Sequence, residues 1–203
     1  INLSIQVMFP EGLEVTNRQF DEMQGSDDEL FWNELFEIAK DSNITIVFCA
    51  GNCEVLVGLD AMKRYDNIIT VSATDMNNKK AKFSNYGKKS TISAPGVKIW
   101  SCKPGGDFTM MDGTSMSSPI IAGVVGLMKS VDPDLTNQEI IEILQETGSP
   151  VEGGVGPLVQ VDKALSRCNG FNIIKVNELN TDSIRNEIKT LENRIIKLEK
   201  LLE

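Results

Sequence analysis

The sequence predicts an α/β fold built on a mostly parallel sheet, and three stretches carry that expectation. Residues 44–49 form a short β-branched apolar run, the composition of a strand covered on both faces. Just before it, Phe31, Leu35, Ile38 and Ala39 recur at helical spacing. Upstream of both, residues 1–6 alternate apolar and polar side chains, so strand, helix and strand follow one another as a βαβ unit. A length of 203 residues is enough for one domain with a substantial core.

Each element has a local reason. The strand at residues 1–6 starts without a lead-in, and residues 11–25 are polar and poorly periodic, hence a loop. Ser26 and Glu29 make an S-x-x-E capping pattern that opens the helix; it should run to about Lys40, with Asp41, Ser42 and Asn43 as its turn. Ala50-Gly51-Asn52 follows the next strand and, taken alone, is ordinary turn chemistry. Residues 68–73 read as another buried strand, while residues 83–87 and 93–97 are turn-rich and read as loops. Residues 99–102 and 108–111 read as a hairpin around Lys103-Pro104-Gly105-Gly106-Asp107.

The hairpin leads into Gly113-Thr114-Ser115-Met116-Ser117-Ser118-Pro119 and an apolar run from Ile120 to Met128. Gly113 permits a tight turn because it has no Cβ. Ser115 stands at the start of the following helix, where N–H groups lack intrahelical partners and the dipole favours negative charge. A serine so placed suits acyl transfer; it equally suits an N-capped core helix without chemistry. The helix is apolar on nearly every face and should be buried, with Gly123 and Gly126 bringing it close to the sheet. Thr136 and Glu139 form a second capping box before Ile140, Ile141 and Leu144. Residues 153–161 lead into a short helix through Leu165, and composition changes at Asn169-Gly170. In the tail, Ile184, Ile188, Leu191, Ile195, Leu198 and Leu202 fall at heptad a and d spacing. That pattern fits a parallel coiled-coil dimer and equally an amphipathic helix docked on its own chain.

Composition excludes several function classes. A net charge of −9 with no basic block argues against nucleic-acid binding, and no apolar stretch is long enough to span a bilayer as a helix. Cys49, Cys53, Cys102 and Cys168 match no zinc spacing, so neither a metal nor another cofactor is expected. Cys49 ends an apolar strand and reads as a buried free thiol; cysteine usage leans toward a reducing, cytoplasmic setting without fixing the compartment. The most informative count is that of histidine, which is zero. A serine hydrolase of the Ser-His-Asp type needs an imidazole to take the serine proton and pass it to the leaving amine.

G-T-S-M-S-S-P followed by a small-residue helix resembles the nucleophile segment of the subtilisin-like serine proteases. The resemblance covers about residues 1–168 and implies a sheet with helices on both faces. It implies Ser115 as nucleophile and, from A-G-N after an apolar strand, Asn52 as the oxyanion-hole donor. It implies that Ser4, Ile5 and Gln6 offer backbone groups to an extended peptide, although a plain strand end is the competing reading. Cys49, Ala50 and Gly51 would line the pocket for the residue before the scissile bond. The family usually has glycine where Gln6 stands, so this glutamine should crowd the cleft or alter its specificity. Residues 83–87 and 93–97 also resemble family segments but receive no catalytic role.

In this family the triad follows the chain order Asp, His, Ser. Residues 1–168 are therefore expected to be the C-terminal part of a catalytic domain whose N-terminal part is missing, followed by a linker at 169–181 and a helix at 182–203. The expected function is serine-type endopeptidase through an acyl-enzyme, with this chain alone inactive for want of histidine. The alternative is a catalytically inactive peptide-binding or assembly module. Expected partners are a protein or peptide substrate, the missing N-terminal part, and a second copy through the C-terminal helix.

Overall fold

In a computed structural model of the chain, residues 1–15, 19, 27–171, 189 and 190 are described, side chains 27–29 excepted. The chain divides into two units, Ile1–Phe171 and Asn172–Glu203. In the second, Lys189 and Thr190 are helical and exposed. The expected linker beyond Phe171, the heptad positions Ile184, Ile188, Leu191, Ile195, Leu198 and Leu202, and the cap residue Ser26 lie outside the described residues.

Four parallel strands form the central sheet in the order β1 (Asn2–Leu3), β2 (Val47–Cys49), β3 (Ile69–Thr74) and β4 (Ile92–Pro95). Their register places Asn2 opposite Val47, Val47 opposite Ile69, and Val71 opposite Ile92. Side chains alternate across this sheet, which decides what each face packs against. Ile46, Phe48 and Ile68 meet Phe36 and Ala39 of helix α1 (Asp27–Asp41). Phe36 contacts Phe48 and Tyr65 edge-on, with centroids 5.9 and 5.0 Å apart. On the opposite face, Val47, Ile69, Val71, Ile92 and Ala94 pack against helices α2 (Thr114–Val131), α3 (Asn137–Thr147) and α4 (Val161–Ser166). The expected α/β sheet with helices on both faces is what the chain forms.

Several elements differ in extent. The first strand was expected over residues 1–6, but only Asn2 and Leu3 join the ladder. Ser4, Ile5 and Gln6 leave it and exchange sheet bonds for side-chain bonds to α2 and to the turn after β2. Residues 93–97, read from sequence as a loop, instead supply most of β4, because Ile92 to Pro95 pair with β3, and Leu158 adds a single parallel bridge to Ser93 at that edge. Two one-turn 3-10 helices, Val57–Leu59 and Ala61–Lys63, fill the connection from β2 to β3. Between them Asp60 is buried and accepts from Lys63 Nζ at 2.8 Å, itself buried, and from the Met62 N–H. Neither charge is left unpaired, which is the condition for burying one.

Helix α2 is not buried all round, contrary to the sequence reading. Ile121, Val124, Val125 and Met128 face the sheet, while Pro119, Gly123, Gly126 and Leu127 are exposed. Gly123 and Gly126 do not approach the sheet, since a Cβ built on either meets nothing within 4 Å. Residue type misled here because glycine and alanine add little hydrophobic contrast to a helical wheel. The hairpin of β5 (Ile99–Lys103) and β6 (Asp107–Met111) pairs Trp100 with Met110 and Cys102 with Phe108. It delivers the chain to the start of α2.

Helix α3 opens on the expected capping box. The Glu139 N–H donates to Thr136 Oγ1 at 3.3 Å, and the Thr136 N–H donates to Glu139 Oε2 at 2.8 Å. The Thr136 N–H, and second the Thr136 hydroxyl, which donates to Glu139 Oε2 at 2.7 Å, hold the Glu139 carboxyl below its ordinary value.

Candidate active site

The turn into α2 is set by Gly113, whose φ of 152° suits a residue without Cβ and whose N–H donates to Gly96 O at 2.8 Å. Ser115 is the second residue of the helix and half-buried. Among the described residues, neither the Ser115 N–H nor its hydroxyl has a hydrogen-bond partner. Pro119 lacks the N–H that would reach back one turn to Ser115 O. The Ser4 hydroxyl lies 3.2 Å from that carbonyl and 3.1 Å from Ser118 Oγ, so it supplies the donor the proline withholds. One hydrogen bond thus ties the end of β1 to the serine turn.

Asn52 comes from the turn after β2. Its Oδ1 accepts from the Thr114 N–H and from Thr114 Oγ1, both at 2.9 Å. A backbone N–H can only donate, so the amide orientation follows from chemistry: oxygen toward Thr114, nitrogen away. Nδ2 lies 3.6 Å from where a Cβ of Gly113 would stand, beside the serine turn, and has no partner among the described residues. Thr114 Oγ1 also accepts from the Gly51 N–H at 3.1 Å.

The loop carrying Asn52 is stapled by Asn85. Asn85 Oδ1 accepts from the Cys53 and Val55 N–H groups at 3.0 and 3.1 Å, and Nδ2 donates to Ala50 O at 3.0 Å. Gly51, at φ 107°, leaves room for that amide; a Cβ there would collide with Asn85 Nδ2. Neither Asn85 nor Thr114 was assigned a role from sequence. Asn85 belongs to the turn-rich stretch 83–87, and its partners lie 30 to 35 positions away, so no local signal marks it.

The remaining residues flagged from sequence converge on the same place. Cys49 Sγ donates to Ile5 O at 3.2 Å, joining the end of β2 to the segment leaving β1. Gln6 Oε1 accepts from the Asn52 N–H at 2.6 Å, and Gln6 Nε2 lies 2.8 Å from Met8 Sδ. Residues 4–6 and 49–52 are therefore joined by these bonds, and Ser4 ties the first segment to the turn that carries Ser115. All four cysteines are free thiols. Asp112 Oδ1 is engaged by the Lys98 N–H at 2.6 Å. Among the described residues no cluster of three His, Cys, Asp or Glu could hold a metal ion, and no helix is long and apolar enough to cross a membrane. A cavity of about 330 Å³, lined by Gly12, Glu14, Glu54, Lys80, Tyr86 and Gly153, shares no residue with this site.

Comparison with known proteins shows what the chain is similar to. The profile of the family described as "Subtilase family" matches residues 2–172. The chain is similar to a thermostable alkaline protease of Halalkalibacterium halodurans, 38% identical over 130 residues, covering 62% of this chain and 36% of that protein. It is similar to subtilisin DY of Bacillus licheniformis, 33% identical over 143 residues, covering 68% of this chain and 50% of that protein. Among solved structures, a cold-adapted subtilisin-like serine proteinase superimposes with a TM-score of 0.57 at 28% identity, covering 60% of this chain and 46% of that one. The chain thus matches half or less of the length of these proteins.

Proposed function

This chain belongs to the subtilase family, and from that premise we propose that it carries the nucleophile and oxyanion-hole part of a serine-type endopeptidase. In this reading Ser115 Oγ attacks the scissile carbonyl to form an acyl-enzyme. The oxyanion that develops accepts from Asn52 Nδ2 and from the Ser115 N–H. One observation carries the reading: Thr114 holds Asn52 Oδ1 with two donors, leaving Nδ2 free beside the serine turn. Donors already fixed in place need no reorganisation when charge appears, which is how such a site lowers a barrier. Ser4, Ile5 and Gln6 offer their backbone to an extended peptide, and Cys49, Ala50 and Gly51 receive the side chain before the scissile bond.

The imidazole that takes the serine proton comes from outside these 203 residues, because the chain holds no histidine. The complete protein is proposed to supply it, with its acid partner, from an N-terminal part of the catalytic domain. Residues 1–168 are then the C-terminal part of that domain, 169–181 a linker, and 182–203 a helix that docks or pairs with a second copy. The 203-residue chain by itself is inactive in this reading.

A fluorophosphonate probe tests the assignment on the full-length protein. Ser115 should be labelled, and Ser115→Ala should abolish labelling while leaving peptide binding in place. A folded full-length protein that carries histidine yet leaves Ser115 unlabelled overturns the reading. The absence of histidine favours a second reading, an inactive peptide-binding or assembly module. That reading takes over where the full-length protein also lacks histidine and still binds peptide.

A further inference from the structure

We propose that Gln6 sets the specificity of the pocket by closing its mouth, so that the residue before the scissile bond must be small. The proposal rests on the reading of Ser4, Ile5 and Gln6 and of Cys49, Ala50 and Gly51 as the two pocket walls. The Gln6 side chain leaves the first wall and ends on the second. Its Oε1 takes the Asn52 N–H at 2.6 Å and lies 3.1 Å from the Cβ position of Gly51. At another level the walls are already joined, by Cys49 Sγ and Ile5 O at 3.2 Å. The two segments are therefore joined twice, once by a thiol and once by an amide.

A methyl group needs little of that space. A benzyl group needs the volume the Gln6 amide fills, and displacing the amide strips the Asn52 N–H of its acceptor. Leaving a donor unpaired in a half-buried turn is costly, and the same N–H belongs to the residue that donates to the oxyanion. Among the described residues the outer side of the amide is held only by Met8 Sδ, a weak acceptor on an exposed side chain, so the contact to Asn52 is the one that resists.

The test compares full-length wild type, Gln6→Gly and Gln6→Ala. Binding of N-succinyl-Ala-Ala-Pro-Ala and N-succinyl-Ala-Ala-Pro-Phe as free acids is measured by calorimetry, which needs no turnover. Wild type should favour the alanine peptide by about tenfold or more, and both variants should raise the Phe-to-Ala affinity ratio by about 10–100-fold. Wild type that takes the phenylalanine peptide as well as the alanine one overturns the proposal whether or not the variants fold. So does an unchanged ratio in folded variants, or no binding of either peptide to wild type. Fluorophosphonate labelling of Ser115 in the same samples separates the two readings. Labelling with unchanged selectivity rejects the role of Gln6 alone; shifted selectivity without labelling rejects the peptidase function alone.

Discussion

At the scale of single residues, the site is a set of donors whose partners have been withheld or assigned. Asn52 is half-buried with its oxygen doubly engaged, so its amide nitrogen is the free end. If Asn52 is the oxyanion donor proposed above, Asn52→Ala should lower kcat of the complete protein by about 10²–10³, the loss known for the oxyanion-hole asparagine of subtilisin, with little change in KM. A rise in KM with kcat unchanged would place Asn52 in ground-state binding instead. Asn85 acts one step back, as a positioning residue. Asn85→Ala strips acceptors from two loop N–H groups and a donor from Ala50 O, which should cost about 2–4 kcal/mol in urea melts. It should also lower kcat more than it raises KM, because the loop that aims Asn52 loosens. Ser117 is the contrasting case: fully buried, it donates to Ala94 O and Pro95 O at 3.1 Å and faces the sheet rather than the cleft. Ser117→Ala should leave Ser115 labelling intact while costing about 1 kcal/mol of stability.

At the scale of elements, the capping box of α3 gives a pH-dependent test. Thr136→Ala should cost about 1 kcal/mol at neutral pH, the usual worth of such a cap. Glu139 is held below its ordinary value of 4.5 by its bonds to Thr136. A carboxyl lowered by folding contributes stability above its unfolded value and loses it as pH falls through the lower folded value. Chemical denaturation of wild type and Glu139→Gln should therefore differ above pH 4.5 and converge as pH falls through the lower folded value. Since Glu139 is fully exposed, the sign is the prediction and its size is left to solvent screening. A difference that grows on acidification would contradict the bonding described here.

At the scale of the whole molecule, one side of the fold is left open. Strand β1 is an edge strand of two residues, and α2 turns Gly123, Gly126 and Leu127 outward. In the 203-residue chain, Gly123→Ala and Gly126→Ala should each raise stability by about 0.5–1 kcal/mol, since an exposed helical glycine gains from a Cβ that meets nothing. In the complete protein the same changes should lose stability, because the proposed N-terminal part would pack on this face. Urea melts of both lengths decide it, and a gain in both would leave the face unpartnered. The 203-residue chain should also turn over peptide esters far below the roughly 1 s⁻¹ of ordinary enzymes.

The sequence by itself determined the two central strands, because β-branched runs such as residues 44–49 and 68–73 have few alternatives to a buried strand, but not β4, whose residues read as part of a loop. It also determined the α3 cap, since S/T-x-x-E signals act over three residues. Ser115 and Asn52 stand out as candidates for a related reason: each sits in a short motif whose neighbours are adjacent in the chain. Other features were decided only by tertiary structure. Residues 4–6 alternate like a strand, yet leave the ladder because Ser115, Asn52 and Met8 offer their side chains and backbone other partners. Glycines of α2 were placed on the wrong face because a residue without a side chain carries no hydrophobic signal. Asn85 and Thr114 were missed because a hydrogen bond spanning 30 to 63 positions leaves no periodicity to read. Local chemistry writes elements and motifs into the sequence; which donor is left free at Asn52 depends on contacts that exist only once the chain has closed.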